Sequence, residues 1–432
     1  MTTTSDAGSG EVFIPSVHLP ALARRPALGE VETALGLLAR ALRIEGDEHV
    51  WVAAPDVASD EQDSGAAETD EAPERDASAA FELRHAQTWL TGCVRSGLAW
   101  CFARDDDGDA AAAALDKAAA LLSVCAGKSA SGAVTRIYHV PTPNGAEVAV
   151  SVRDATLSAD ALGSRTWGSA PLLARRLLSP LEAALRHSSQ LRILELGAGT
   201  GLVGLALALY SQRLGIAAQV ALTDYHPDVL SNLQFNASLN ALSEPSTLVR
   251  RLDWQDDYAG ASHAHETQTE EQRVAQTARD TWPSLESGSW DALVAADCCY
   301  EHDHALWLRA VASQRLSRAF VHESDSREGA GADLHGGLYI LNALRQTHAH
   351  EAAAILAVFP LVDPRASSSG GALALRTVRT QDLRAQDDFG PPSMRTDVPL
   401  HGDDTVRRPL ATQSGQATLF RAFEIRWCQV DD

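Results

Sequence analysis

The chain has 432 residues, 45% of them hydrophobic and 22% charged, with a formal net charge of −21. That length allows one large domain with a smaller companion, and the composition is that of a globular protein. The acidic excess argues against a sequence-independent grip on phosphate backbones and suits a basic protein surface instead.

Residues 1–54 read as an N-terminal helical segment, carried by the amphipathic run VETALGLLARALR at 31–43. The opening residues 1–10 lack the apolar core of a secretory signal, and no segment approaches the length of a membrane span. Residues 55–79 are acidic and poor in large apolar groups, so a disordered linker is expected there. Residues 80–145 read as a helical extension leading to a β-hairpin. Phe81, Trp89, Cys93, Leu98 and Phe102 recur on one helical face, and an Ala-rich helix follows at 110–122. The run Asp105–Asp109 resembles a calcium loop but fails its spacing, since the first ligand position would fall on Ala103. It reads instead as the acidic start of that helix. Strands at 135–140 and 146–153 flank the turn sequence Pro143-Asn144-Gly145.

A larger domain is expected over 146–432. After a helix at 171–186, strands at 191–196, 218–223, 247–252, 291–296, 337–343, 371–377 and 417–427 alternate with helices at 202–211, 227–240, 304–317 and 348–358. Such alternation predicts a doubly wound, mostly parallel, Rossmann-like α/β sheet of seven strands. The polar stretches 259–288 and 384–415 read as loop insertions. The six cysteines (Cys93, Cys101, Cys125, Cys298, Cys299, Cys428) form no CxxC and no zinc-ligand spacing, so a reduced chain with no disulfide and no metal is expected.

The functional signal sits at 191–204, LRILELGAGTGLVG. An apolar strand carries Glu195 near its end, breaks into Gly197, Gly199 and Gly201, and enters a helix. Glycines admit a ligand against backbone, and a helix start offers unpaired N–H groups. Counted from Gly199, the spacing Gly199-x-Gly201-x-x-Gly204 also meets the dinucleotide fingerprint, which alone is weak. Counted from Glu195, the register is typical of S-adenosylmethionine sites. Downstream strand ends favour the methyl donor. Asp224 closes the second strand, where an acid binds ribose hydroxyls, and is followed by a helix with Asn232, Asn236 and Asn240 on one face. Asp253 and Trp254 close the third, offering an edge hydrogen bond and a ring for adenine. Ala296, Asp297 and Tyr300 close the fourth. Ligands of open α/β sheets gather at such carboxyl ends.

Together, Thr166-Trp167-Gly168-Ser169, Glu195 to Gly201, Leu222-Thr223-Asp224, Asp253-Trp254 and Asp297-x-x-Tyr300 resemble the seven-β-strand protein methyltransferases of methyltransferase family 16 over roughly 150–360. The first motif is most similar to fungal members that methylate lysine on translation elongation factors. The resemblance implies a class I methyltransferase fold with S-adenosyl-L-methionine as cofactor and an exposed lysine of a protein as substrate. The expected protein is a cytoplasmic or nuclear monomer binding neither membrane nor nucleic acid. It places Trp167, Gly197, Ala198, Gly199, Asp224, Trp254 and Ala296 against the cofactor, and the Asp297–Tyr300 region against the lysine. Glu195 reads either as a loop hydrogen-bonder or as a partner, through water, of the cofactor's amino group, and Asp253 as an edge acceptor. Alternatives are a methyltransferase for nucleic acid or a small molecule, an NAD-dependent oxidoreductase and a non-catalytic module. Asp297-Cys298-Cys299-Tyr300 lacks the prolines of adenine-methylating enzymes.

Overall fold

A computed structural model describes residues 12–42, 48–52, 55–57, 71–103, 108–125, 133–155, 162–186, 190–216, 218–258, 281–301, 303–322, 334–344, 349–362, 372–386, 400 and 417–430. The chain divides into two units. One comprises Met1–Glu48, Ser64–Gly132 and Phe389–Gln416, the other His49–Asp63, Ala133–Asp388 and Ala417–Asp432.

The first unit is helical, with α1 (Pro15–His18), α2 (Leu28–Ala41), α3 (Glu71–Ser96), α4 (Ala99–Phe102) and α5 (Gly108–Cys125). Val31, Leu35 and Leu38 of α2, Leu90 and Cys93 of α3 and Leu121 of α5 share one buried cluster. The Trp89 indole donates to Pro20 O at 2.7 Å. Two expectations are corrected here. Residues 71–79, expected as linker, form the first turns of α3, where Glu and Ala favour helix; residues 58–70 lie outside the described residues. The single helical face expected over 81–102 is interrupted at Gly97 and Leu98, both left-handed at φ +59° and +47°.

Strands dominate the second unit. A three-stranded sheet runs in the order β1 (Glu48–Trp51), β3 (Val134–Pro141), β4 (Glu147–Asp154), so residues 48–51 are strand rather than the expected helical segment. β3 and β4 pair antiparallel through the expected Asn-Gly turn. The hairpin therefore belongs with this unit, which resumes at Ala133, ahead of the expected boundary at 146.

The main sheet contains β2 (Asp56–Val57), β5 (Leu191–Leu196), β6 (Ala218–Asp224), β7 (Thr247–Arg251), β8 (Ala292–Ala296), β9 (Val321–His322), β10 (Gly337–Ala343), β11 (Ala372–Gln386) and β12 (Ala417–Val430). Its order is β2-β11-β12-β10-β8-β5-β6-β7, with β9 beside β12. β7, β6, β5, β8 and β10 run parallel, and the long β12 is antiparallel to β10 and β11. The seven expected strands of a class I methyltransferase sheet are all present, widened by the two-residue strands β2 and β9. β11 continues to Gln386, so residues 384–386, expected as loop, pair with Ala417–Leu419. Residues 259–280 and most of 387–416, the expected insertions, lie outside the described residues.

Helices α6 (Ser169–Leu185), α7 (Leu202–Arg213), α8 (Pro227–Leu239), α9 (Trp254–Tyr258), α10 (His304–Arg315) and α11 (Ala349–Val358) accompany this sheet. Leu173, Leu177 and Leu181 of α6 and Leu205 of α7 pack on one face; Leu308 of α10 and Ile355 of α11 pack in a separate cluster on the other. β5 is buried at every position but Arg192, as a central strand covered on both faces must be. Strand order reverses about β5, with β6 and β7 added on one side and β8 and β10 on the other, and the crevice beyond their carboxyl ends is the switch point of the sheet.

The asparagine face of α8 has a structural task. Asn240 accepts from Ser151 N and donates to Ser151 O at 2.9 and 2.6 Å. Asn236 accepts from Arg153 N at 2.8 Å and donates to Thr200 O at 3.0 Å, and Asn232 donates to Arg153 O at 2.9 Å. Four helical residues rise about 6 Å and two strand residues about 6.6 Å, so the amides match alternate residues of β4 like a neighbouring strand.

Candidate active site

The β5–α7 turn places all three glycines at positive φ: Gly197 at +60°, Gly199 at +56° and Gly201 at +86°. Side chains rarely adopt this conformation. Space is also short. A Cβ on Gly197 would lie 3.2 Å from Cys298 Cβ and 3.3 Å from Trp254 Cζ2; one on Gly199 would meet Gly163 O at 3.0 Å. The turn thus packs its bare backbone closely against Cys298, Trp254 and Gly163 at the strand tips. Ala198 N donates to Thr223 O, fastening it to the end of β6.

Asp224 closes β6, buried, with Oδ2 accepting from Gly199 N at 3.2 Å and Oδ1 from Tyr225 N and His226 N at 2.8 and 3.2 Å. Burial raises its pKa, opposed by those three backbone donors. Its carboxylate is therefore aimed at the same glycine turn. The neighbouring His226 imidazole accepts from Asp228 N and caps α8.

Glu195 takes the loop role of its two readings. It is 2% exposed, and Oε2 accepts from Gly204 N at 2.9 Å, at the start of α7. Burial pushes its carboxyl up to about 8, against the Gly204 N–H and with the Asp224 charge. The third glycine of the dinucleotide-like spacing has a packing reason: a Cβ on Gly204 would meet Leu222 Cδ2 at 2.2 Å. Asp253 likewise departs from a plain adenine acceptor. Oδ2 pairs with the buried Arg251 at 3.0 Å and Oδ1 accepts from Gln255 N, capping α9. Trp254 follows with its ring against Gly197.

At the end of β8, Ala296 pairs with Leu341 and Asp297 turns left-handed at φ +50°. A non-glycine residue there carries strain that surrounding bonds must hold. They do: Asp297 N donates to Leu341 O at 2.9 Å, Oδ1 accepts from Ala343 N at 3.0 Å, and Oδ2 from Ser169 N at 3.3 Å. Asp297 thus ties together the tip of β8, the end of β10 and the first turn of α6, which fixes its carboxylate without any ligand. The 166–169 motif reaches the same place. Thr166 donates from its N and Oγ1 to Asp154 Oδ1 at 2.8 and 2.7 Å and shares a 2.8 Å hydroxyl bond with Thr200 in the glycine turn. Trp167 lies between that anchor and α6, and its carbonyl accepts from Ala170 N.

Tyr300 is 37% exposed. Partial burial raises its phenol pKa, and nearby Tyr225 and Asp224 add to the rise. Its ring meets the His304 imidazole edge-on at 4.5 Å, and His304 in turn meets Trp254 at 6.1 Å and Trp307 at 5.2 Å. His304 Nδ1 lies 3.1 Å from Cys298 O. Sequence reasoning missed His304 and Gly163; the four-residue step from Tyr300 to His304 was the available signal for the first. Cys298 and Cys299 are buried thiols, and contact with Cys299, then burial, holds Cys298 well above the thiol range.

Residues 148–270 match the family model described as lysine methyltransferase. The resemblance to methyltransferase family 16 is borne out over this segment. The chain is 36% identical over 169 residues to the protein-lysine N-methyltransferase rrg1 of Schizosaccharomyces pombe, covering 39% of this chain and 47% of that protein. It is 32% identical over 139 residues to the protein-lysine N-methyltransferase EFM2 of Saccharomyces cerevisiae, covering 30% and 32%. The chain thus spans about half the length of the first relative and about a third of the second. Solved structures overlap less closely. A SAM-dependent methyltransferase from Agrobacterium tumefaciens gives a TM-score of 0.34 at 12% identity, over 64% of this chain and 67% of that one. TrmN from Thermus thermophilus gives 0.30 at 14%, over 68% and 59%. These overlaps are too partial to bear on the activity.

Proposed function

We propose that the crevice at the tips of β5, β6 and β8 transfers a methyl group from S-adenosyl-L-methionine to a lysine ε-amine of a protein substrate. The observation that carries this reading is the pairing of a left-handed glycine turn, fastened to Asp224, with a strained and triply anchored Asp297 on the adjacent strand tip. These residues fit the cofactor. Gly197 and Gly199 hold left-handed backbone in which a Cβ would crowd Cys298, Trp254 and Gly163, and Asp224 is a buried carboxylate suited to ribose hydroxyls. Gly197, Ala198, Gly199, Asp224, Trp254 and Ala296 would hold it, with Trp167 at the entrance to α6; when bound, it supplies an electrophilic sulfonium methyl.

The chain's own task is to deliver a neutral amine. A lysine leaves water with a pKa near 10.4, and a partly apolar channel favours its unprotonated form. The rings of Trp254, Tyr300, His304 and Trp307 supply such walls. Asp297 is held by two backbone N–H bonds, and this fixed carboxylate orients the amine. A close carboxylate also raises the amine's pKa, so its role is orientation rather than proton abstraction. Rate then comes from positioning and exclusion of water.

The substrate is a protein with an exposed lysine, and the motif resemblance makes a translation elongation factor the first to try. The protein acts as a monomer in the cytoplasm or nucleus; among the described residues no helix is long and apolar enough to cross a membrane. Purified chain incubated with a radiolabelled methyl donor and cell extract should label a discrete protein band, on lysine. Asp297→Ala should retain the wild-type affinity for S-adenosylhomocysteine within about threefold and lose roughly 100-fold in turnover. Absence of any heat on titrating S-adenosylhomocysteine into the wild-type chain would end this reading.

A further inference from the structure

A second cleft, of about 290 Å³, lies between α6 and the antiparallel side of the sheet. Arg176, its first charged residue on α6, stands seven residues beyond Ser169, roughly 10 Å along the helix from the amide that holds Asp297. The cleft floor is a row across three strands: Tyr339 of β10, Glu424 of β12 and Arg379 of β11 lie in register. A bulge brings Arg379 into that row. Thr377 pairs with Ile425 and buries its hydroxyl against Phe359 O on the opposite face. Val378 is the extra residue, so Arg379 and Gln381 turn toward α6. Leu173, Leu177 and Pro180 give the helix wall an apolar character.

The charges in this cleft do not balance. Glu424 already has a cation: Oε1 accepts from Arg426 Nε at 2.7 Å. Arg426 spends its other nitrogens on Tyr339 Oη at 2.8 Å and His335 O at 2.6 Å. Arg176 donates to the neutral Gln381 Oε1 at 2.6 Å, and Arg379 makes no hydrogen bond or ion pair among the described residues. Two guanidiniums thus share one cavity with a single carboxylate, Glu424, which is already hydrogen-bonded to Arg426. They feel each other: burial and then the Arg379 charge lower the pKa of Arg176, and the opposing pull of Glu424 and Tyr339 does not offset them. An acidic chain that keeps two adjacent cations unpaired gains most from an anion placed between them, and the guanidinium fork matches phosphate and carboxylate geometry.

We propose that this cleft binds a small organic oxyanion, its phosphate or carboxylate between Arg176 and Arg379 and its apolar part against Leu173, Leu177 and Pro180. The site is distinct from the strand-tip crevice and does not depend on methyl transfer. The test is calorimetric titration of the full chain with phenyl phosphate and, separately, benzoate, for the wild type and for Arg379→Gln, an exposed position whose replacement leaves the fold intact. Saturable binding of either probe that weakens by about tenfold or more in Arg379→Gln, and persists with S-adenosylhomocysteine present in excess, supports the site; the tighter probe names the oxyanion. Inorganic phosphate should bind more weakly than phenyl phosphate. No saturable binding of either probe below roughly 10 mM, a smaller loss in Arg379→Gln, or displacement by S-adenosylhomocysteine overturns it.

Discussion

Glu195→Gln should flatten the pH dependence of stability of the sheet-bearing unit. In the fold, burial holds the Glu195 carboxyl at about 8, against an ordinary value of 4.5. Between these values the folded chain keeps a proton that the unfolded chain has released, so stability falls as pH rises through this window and is fullest below it. The interval, 8 − 4.5 = 3.5 units, corresponds to about 5 kcal/mol in all at 1.36 kcal/mol per unit. Roughly 2 kcal/mol of that is lost between pH 6 and pH 8. Glutamine keeps an acceptor for Gly204 N and cannot ionise. Asp224 is raised in the same direction and is present in both proteins, so the difference between them reads Glu195 together with its charge coupling to Asp224. Urea unfolding at pH 6, 7 and 8 should show the wild type losing about 2 kcal/mol more than the variant across that range. Equal slopes would refute a protonated Glu195.

Asp224→Ala should weaken S-adenosylhomocysteine binding by roughly 100-fold in calorimetry, since the proposed function makes this buried carboxyl the acceptor for the ribose hydroxyls; unchanged affinity would remove Asp224 from the site. Asn236→Ala leaves Arg153 N and Thr200 O without their partner and should cost about 3 kcal/mol in urea unfolding. Gly204→Ala places a methyl 2.2 Å from Leu222 Cδ2 and 2.5 Å from Glu195 Oε2. It should destabilise by about 1–3 kcal/mol and lower the melting temperature correspondingly.

The central strands were legible because they are covered on both faces and read as unbroken apolar runs; Leu191–Leu196 matched its expected bounds. The hairpin was legible from Asn144-Gly145, and the strand-tip positions of Asp224, Asp253 and Asp297 from the apolar runs before them. Other features depend on partners far along the chain, which local pattern does not carry. Nothing near Asn232, Asn236 and Asn240 says that they meet the backbone of Ser151 and Arg153. The bulge at Val378 exists only relative to β12, and β1, β2 and β9 are short strands defined by the strand beside them. Glu195 and Asp253 were correctly placed at strand ends, but their hydrogen bonds to Gly204 and Arg251 come from how the helices dock. The acidity of 71–79 suggested solvent, and α3 shows that charge alone does not stop a Glu/Ala-rich run from forming helix.

The asparagine row on α8 also bears on solubility. β4 is the outer member of the small sheet, and an outer strand ordinarily offers a ladder of open amides to any passing chain. Side-chain amides already occupy that ladder at Ser151 and Arg153, so the hairpin ends in a helix that cannot be extended by further strands. Breaking the row would therefore do more than weaken the fold: it would uncover a template for association between copies.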